Sequence, residues 1–188
     1  MISKTSRQLI IFHTFLYSKI VELVELTNLI PVSAKTISRD MKEIQEAGLI
    51  RVIFSKGEGG YVHMDDERHC PFSPPVYSNN KAKDRHIDRL LRLATIMIEL
   101  KGHVEYPFYD ERSLRQETCS TWYKKKFPNL STRTMQRDFE ELNRIGYFIE
   151  YNREDQYYEV DFPDGIEGIQ SRMEYLNKRN RGRMMGDE

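Results

Sequence analysis

Two stretches of this chain carry the same polar side chains at the same spacing. Residues 32–50 read VSAKTISRDMKEIQEAGLI and residues 130–148 read LSTRTMQRDFEELNRIGYF. At a constant offset of 98 positions, Ser33 matches Ser131, Thr36 matches Thr134, Arg39 matches Arg137, Asp40 matches Asp138, Glu43 matches Glu141 and Gly48 matches Gly146. Ile37, Met41, Ile44 and Ala47 answer in kind to Met135, Phe139, Leu142 and Ile145, and at helical spacing each set forms one inward face. Lys35, Thr36, Ser38, Arg39 and Lys42 then lie off that face in the first copy. Thr132, Arg133, Thr134, Gln136 and Arg137 do so in the second, with Glu140 at its margin. Such a set of cations, hydroxyls and an amide has one chemistry to offer, which is binding to phosphate oxygens and base edges. The leading end of a helix adds free N–H groups and a positive dipole end.

Other chemistry has little support. The five histidines show no metal-ligand spacing, and His69-Cys70 has no companions. Cys70 and Cys119 are far apart and form no CxxC pair, which counts against a disulfide framework or zinc knuckle. No phosphate-binding glycine loop, nucleophile elbow or paired-carboxylate motif is present, so neither an enzyme nor a cofactor is expected. With 29 basic and 29 acidic residues the net charge is zero, which argues against coating of DNA by bulk charge but allows a local basic face. Lys4 and Arg7 precede only the short apolar run Leu9–Phe12, which does not read as a signal peptide, and no apolar stretch approaches membrane length. A cytoplasmic, nucleoid-associated protein is the expectation, with no membrane contact.

The elements that would position these residues also come twice. At 188 residues, with 39 % hydrophobic and 11 % aromatic side chains, two modest cores fit the chain. Ser6–Tyr17 reads as a helix with one broad apolar face, and Lys19–Val21 as a brief extended piece or turn. Glu22–Leu29 reads as a short second helix ended before Pro31, and Ser33 as the cap of a third that stops at Gly48. Leu49–Phe54 and Tyr61–Met64 read as a hairpin around residues 56–60. Residues 65–83, with three prolines, read as a stiff linker. The plan then repeats: a long helix Asp84–Lys101 closed by Gly102, a second helix within Asp110–Phe127, a third from Ser131 to Gly146, and a hairpin of Tyr147–Tyr151 with Gln156–Phe162. A short helix over Ile166–Asn177 and a frayed basic end complete the chain. The expected fold is α+β, mainly α: domain 1 at 1–64, linker 65–83, domain 2 at 84–163 and a tail at 164–188.

Each half resembles a winged helix-turn-helix domain, three helices plus a β-hairpin wing. The first half is similar to the DeoR type through Ser33, Thr36, Ile37, Arg39, Asp40, Gly48-Leu49-Ile50 and Gly59-Gly60-Tyr61. The second, Arg85–Phe162, is similar to the N-terminal domain of WYL-domain regulators through residues 131–138 and Tyr157-Tyr158. The resemblance implies a transcription regulator bound to double-stranded DNA, third helices in the major groove and wings on the backbone. Carried over, Thr36, Ser38, Arg39, Thr134, Gln136 and Arg137 would face DNA, with Lys56 and Arg153 as wing contacts. The chain departs from both families in showing no sensor or WYL domain, hence no small-molecule effector domain. Its second wing lacks Gly-Gly-Tyr and carries Glu154-Asp155.

Structural roles compete with this reading. Arg39 and Arg137 each precede a glutamate by four positions, Glu43 and Glu141, and such pairs serve a helix alone. Asp40 and Asp138 read as anchors for a neighbouring Arg or backbone group. Lys124–Lys126 reads as a solvated face, and Trp122, Tyr123 and Phe127 as core. The basic stretch Lys178–Arg183 reads equally as a DNA-grasping arm or a solubilising end. Two other functions stay open: an adaptor resembling the ScpB subunit of bacterial condensin, and a plasmid- or phage-type replication initiator. A homodimer would use the helix over 84–101 or the tail helix.

Overall fold

Four of the helices among the described residues begin with the same hydroxyl cap. The structure is a computed structural model and describes residues 2–64, 72–100, 118–154 and 156–184. Helix α1 (Lys4–Tyr17) starts at Ser3, α3 (Ala34–Glu46) at Ser33, α5 (Cys119–Lys126) at Thr118 and α6 (Thr132–Asn143) at Ser131. In each, the cap oxygen accepts the amide N–H three residues on, from Ser6, Thr36, Thr121 and Thr134, at 3.0–3.3 Å. In α3, α5 and α6 the hydroxyl of that same residue adds a second bond to the cap, at 3.0 Å. These caps satisfy amides that a helix start otherwise leaves open.

α3 and α6 also end alike. Gly48 and Gly146 take positive φ angles of 75° and 96°. The amides that follow, Leu49 and Tyr147, donate back to the carbonyls of Ile44 and Leu142 at 3.2 Å. A Cβ at Gly48 would also stand 2.1 Å from the Ser73 carbonyl oxygen. Beyond the glycines, Gln45 Oε1 accepts the Val52 amide and Asn143 Oδ1 the Ile149 amide, so each third helix pins the first strand of its hairpin.

The fold is α+β and mainly helical. In the first half α1, β1 (Ile20–Glu22), α2 (Leu23–Leu29), α3, β2 (Val52–Ser55) and β3 (Gly60–His63) build an antiparallel sheet in the order β1-β3-β2. The piece at Lys19–Val21 is thus the start of a third strand, paired through Ile20 with Val62. In the second half α4 (Lys81–Thr95) runs on through a wide π turn at Ile96–Leu100, followed by α5, α6 and the two-stranded sheet β4 (Phe148–Asn152) with β5 (Tyr157–Asp161). Helix α7 (Gly165–Met184) closes the described chain.

Several expectations need correction. Leu49 and Ile50 are buried ahead of β2, which begins at Val52. The linker ends at Asn80, because its side chain caps α4 through the Ala82 and Lys83 amides. Residues 72–76 are no free tether: the Ser73 amide donates to the Gly48 carbonyl, the Val76 amide to that of Glu46, and Phe72 packs edge-on against Phe12. The tail helix runs from Gly165 to Met184 instead of ending at Asn177. Gly102, the segment Asp110–Glu117, His69-Cys70 and His103 lie outside the described residues.

α1 does not show a single apolar face. Ten of its residues are buried, including Ser6, Gln8, His13 and Thr14. It packs on α3 within its own half and on α4 and α7 from the other. The helix over 84–101 and the tail helix, proposed above as dimer surfaces, therefore face α1 inside the same chain. The joint is polar. Gln8 donates to Glu43 at 2.8 Å and meets His86 Nε2 at 2.7 Å, while Lys4 pairs with Glu43 at 2.7 Å. Ser3 and Ser6 donate to Glu141 at 2.7 and 2.6 Å, where Arg89 joins at 3.1 Å. Lys83 reaches across to Glu46 at 2.7 Å. His13 Nε2 donates to the Gly165 carbonyl at 2.8 Å, and its Nδ1 shares a hydrogen bond with the Tyr147 hydroxyl at 2.6 Å.

Three titrating groups in this joint favour the same direction of pH. Burial opposes charge on Glu141, but the hydroxyls of Ser6 and Ser3 and the charges of Arg89 and Arg144 outweigh it and hold its carboxyl below the ordinary value of 4.5. Burial likewise opposes charge on Glu43, and Lys4 and Gln8 overcome it with the same net direction. Burial, then the Lys4 charge, holds the His86 ring below 6.5. In all three cases the unfolded chain binds more protons, so their stabilisation is full above the unfolded values and is lost as pH falls. The melting temperature should decline as pH drops below 6.5 and more steeply below 4.5, with the lower limb flattened in Glu141→Gln. Scanning calorimetry across this range checks it, and a melting temperature that rises on acidification would contradict the joint described.

Candidate nucleic-acid interface

Four carboxylates of the two third helices, Asp40, Glu43, Asp138 and Glu141, point inward, while Glu140 and the cations around Arg39 and Arg137 point outward. Asp40 is 2 % exposed and Asp138 1 %. Arg7 on α1 grips Asp40 with two nitrogens, at 2.8 and 3.3 Å. Arg92 on α4 grips Asp138 in the same way, at 2.6 and 3.1 Å, and the Tyr123 hydroxyl donates to the same carboxylate at 2.6 Å. Burial works against the Arg92 charge, yet the Asp138 bonds hold its guanidinium above its ordinary range. For Tyr123, burial and then the bond to Asp138 push the phenol up. These bidentate pairs fix the rotation of each third helix against the first helix of its own half.

The sequence gives a first helix in each half, but the correspondence of their polar positions was not legible in it. Arg7 and Arg92 are 85 positions apart, whereas Asp40 and Asp138 are 98 apart. Lys4 and Arg89, which pair with Glu43 and Glu141, share the offset of 85. The change in offset falls between α4 and α6, which is why no single alignment of the two halves exposes it.

On the outer faces, Lys35, Ser38, Arg39 and Lys42 are exposed on α3, and Thr132, Arg133, Gln136 and Arg137 are exposed on α6. Lys42 stands 4.0 Å from Glu46. Arg39, Arg133 and Arg137 pair with no carboxylate among the described residues, because Glu43 and Glu141 turn to the joint instead. The helix-internal pairs considered above are therefore not formed. Thr36 and Thr134 are half-buried with their hydroxyls on the cap serines. Their recurrence follows from capping, and the same Ser/Thr-x-x-Ser/Thr pattern recurs at α1 and α5. Gln136 is exposed beside the second hairpin. It lines a shallow cleft of about 330 Å³ with Phe139, Glu140, Asn143, Ile149 and Tyr158.

The two hairpins differ in charge. Lys56 is exposed on the first turn beside Gly57 and Glu58. Arg153 is exposed on the second, but Glu150 and Glu159 are exposed and directly cross-strand from each other, with Glu154 at the tip. Like charges placed opposite one another repel, and together they repel phosphate. The sequence showed Glu154 but not the pairing of Glu150 with Glu159, which depends on register.

Trp122 and Tyr123 lie in the core and Phe127 packs against it. Lys124–Lys126 is exposed, with Lys126 on Glu99 at 2.7 Å. Lys178 and Arg179 are exposed on α7. Among the described residues no group of three His, Cys, Asp or Glu side chains is placed to hold a metal, and no helix is long and apolar enough to cross a membrane. Comparison of the chain with protein-family models, curated proteins and solved structures gives no match.

Removing Asp138 strands the Arg92 charge and the Tyr123 hydroxyl together in the interior. Asp138→Ala should cost about 3–5 kcal/mol in urea unfolding, whereas Arg92→Met with Asp138→Leu, which removes both charges, should cost clearly less. Equal losses would mean that the pair contributes through its net attraction alone.

Proposed function

We propose that this protein is a sequence-specific, double-stranded DNA-binding regulator built from two winged helix-turn-helix units. In this reading α3 and α6 enter the major groove and the β2–β3 turn touches the backbone. One observation carries it. Of the six residues identical between the repeats, Ser, Thr, Asp, Glu and Gly each have a task in the fold, as cap, anchor, joint or helix stop. Arg39 and Arg137 alone have none, and they stand in solvent without a carboxylate partner among the described residues. Together with Lys35 and Arg133 they place unpaired cations on the leading ends of two helices, which suits phosphate and base edges.

The contacts assigned are Arg39, Lys35, Ser38, Lys42 and Lys56 from the first unit, and Arg137, Arg133, Thr132 and Gln136 from the second. Thr36 and Thr134 act through the caps. Arg153 is left out of the backbone contacts, because the carboxylates around it oppose phosphate. The chain would work without cofactor or catalysis. The adaptor reading keeps one supporting observation: Ile20 and Ile53, at 44 % and 54 % exposure, flank Val62 on the outer face of the first sheet.

Fluorescence anisotropy on genomic duplex fragments tests the proposal. Affinity should fall by about 10³ between about 50 and 200 mM salt, as expected for six or so phosphate contacts. Arg39→Ala with Arg137→Ala should lower the salt slope by about 2 and relax sequence preference, with the far-ultraviolet circular dichroism unchanged. No binding at the lower salt would sink the DNA reading and favour the adaptor.

A further inference from the structure

We infer that the chain is a dimer in one polypeptide: its halves are related by a local two-fold axis, and one copy reads an imperfect inverted repeat in DNA. This rests on the reading of α3 and α6 as DNA-facing helices. It adds the relative orientation of the half-sites and the number of chains that occupy them.

The joint supplies the symmetry. α1 and α4 hold equivalent places in the two halves, since each carries the Arg that grips the buried Asp of its own third helix. Along the joint, His86 of α4 meets Gln8 of α1. One turn further on, Arg89 shares Glu141 with Ser3 and Ser6, which lie one turn back along α1. The two helices therefore run antiparallel, and midway in the pairing sit Lys4 and Arg89, which are equivalents of each other. The third helices repeat the exchange. Glu141 of α6 is held by the start of α1, while Glu43 and Glu46 of α3 are met by His86 and Lys83 at the start of α4.

Along the seam of α1 with α4 each half thus presents its first helix and the glutamates of its third to the other, which is the mark of a two-fold contact, while the packing of α7 on α1 lies outside this exchange. Units stacked head to tail would instead join two different surfaces and leave one of each unpaired. A two-fold presents its reading helices to opposite strands, so the target is inverted rather than direct. The half-sites are not identical, because the exposed positions differ: Ser38 faces out where Gln136 does in the other half, and Lys42 where Glu140 does. The carboxylates at Glu150, Glu154 and Glu159 make the half-site under α6 the weaker.

Selection of duplexes from a random library by the full chain, followed by hydroxyl-radical footprinting and sedimentation of the complex, tests this. The expected result is two unequal half-sites in inverted orientation, bound by one chain. Arg39→Ala should abolish protection of one half-site and Arg137→Ala that of the other, each weakening binding about tenfold or more. A direct repeat, a single half-site lost equally in both variants, or two chains per site overturns the two-fold inference and leaves DNA reading intact. Failure to enrich any duplex overturns both.

Discussion

The burial of α1 is the constraint on which the other elements depend. A helix placed at the edge of one unit would need a single apolar stripe, but this one lies between two units and carries polar atoms into the interior. Ser6, Gln8, His13 and Thr14 are each buried, and each has a hydrogen-bond partner. Among the described residues no buried side-chain nitrogen or oxygen is left unsatisfied. That balance is what makes the arrangement tenable, since an unpaired polar group in such a place costs more than an average hydrogen bond contributes. The bonds are directional, so they also fix how the halves meet. Orientation comes from the joint, from the strap at residues 72–76 and from α7, rather than from proline stiffness between independent domains.

The same network explains how a chain of zero net charge can present cations. Acidic side chains of the third helices are drawn inward by arginines and hydroxyls of the first helices. Asp40, Asp138, Glu43 and Glu141 are all occupied in this way. The outer face then keeps Lys35, Arg39, Arg133 and Arg137 without matching carboxylates. Bulk charge cannot distinguish this from an evenly mixed surface, because only the sorting of signs between interior and exterior matters for a local field.

The two halves share a frame and differ in what they display. The first hairpin has Lys56 at a glycine-rich turn, and the second has facing glutamates. The edge-on contact of Tyr158 with Phe139 holds the second hairpin against α6, and Tyr151 packs on Tyr158 within the hairpin. The outer face of α6 thus stands beside a more acidic hairpin than that of α3.

The third helices were legible almost residue by residue, because their signals are local: a hydroxyl cap, an apolar stripe at helical spacing and a glycine stop act within a few residues. The amino-acid order by itself determined the repeat, both hairpins, the inward apolar positions and the outward set around Arg39 and Arg137. It also gave the serine caps and read Asp40 and Asp138 as anchors for an arginine, without naming which. Thr36 resembled a DNA contact and proved to be part of a cap, and the partner of Asp40 is Arg7, 33 positions away. Ile169, fully buried in a segment read as a tail, gave no periodic signal strong enough to announce its place. The pairing of Glu150 with Glu159, the enclosure of α1 and the antiparallel meeting of α1 with α4 were decided by tertiary structure alone. Those features rest on contacts between residues distant in the chain, and local pattern holds no record of which surfaces will meet.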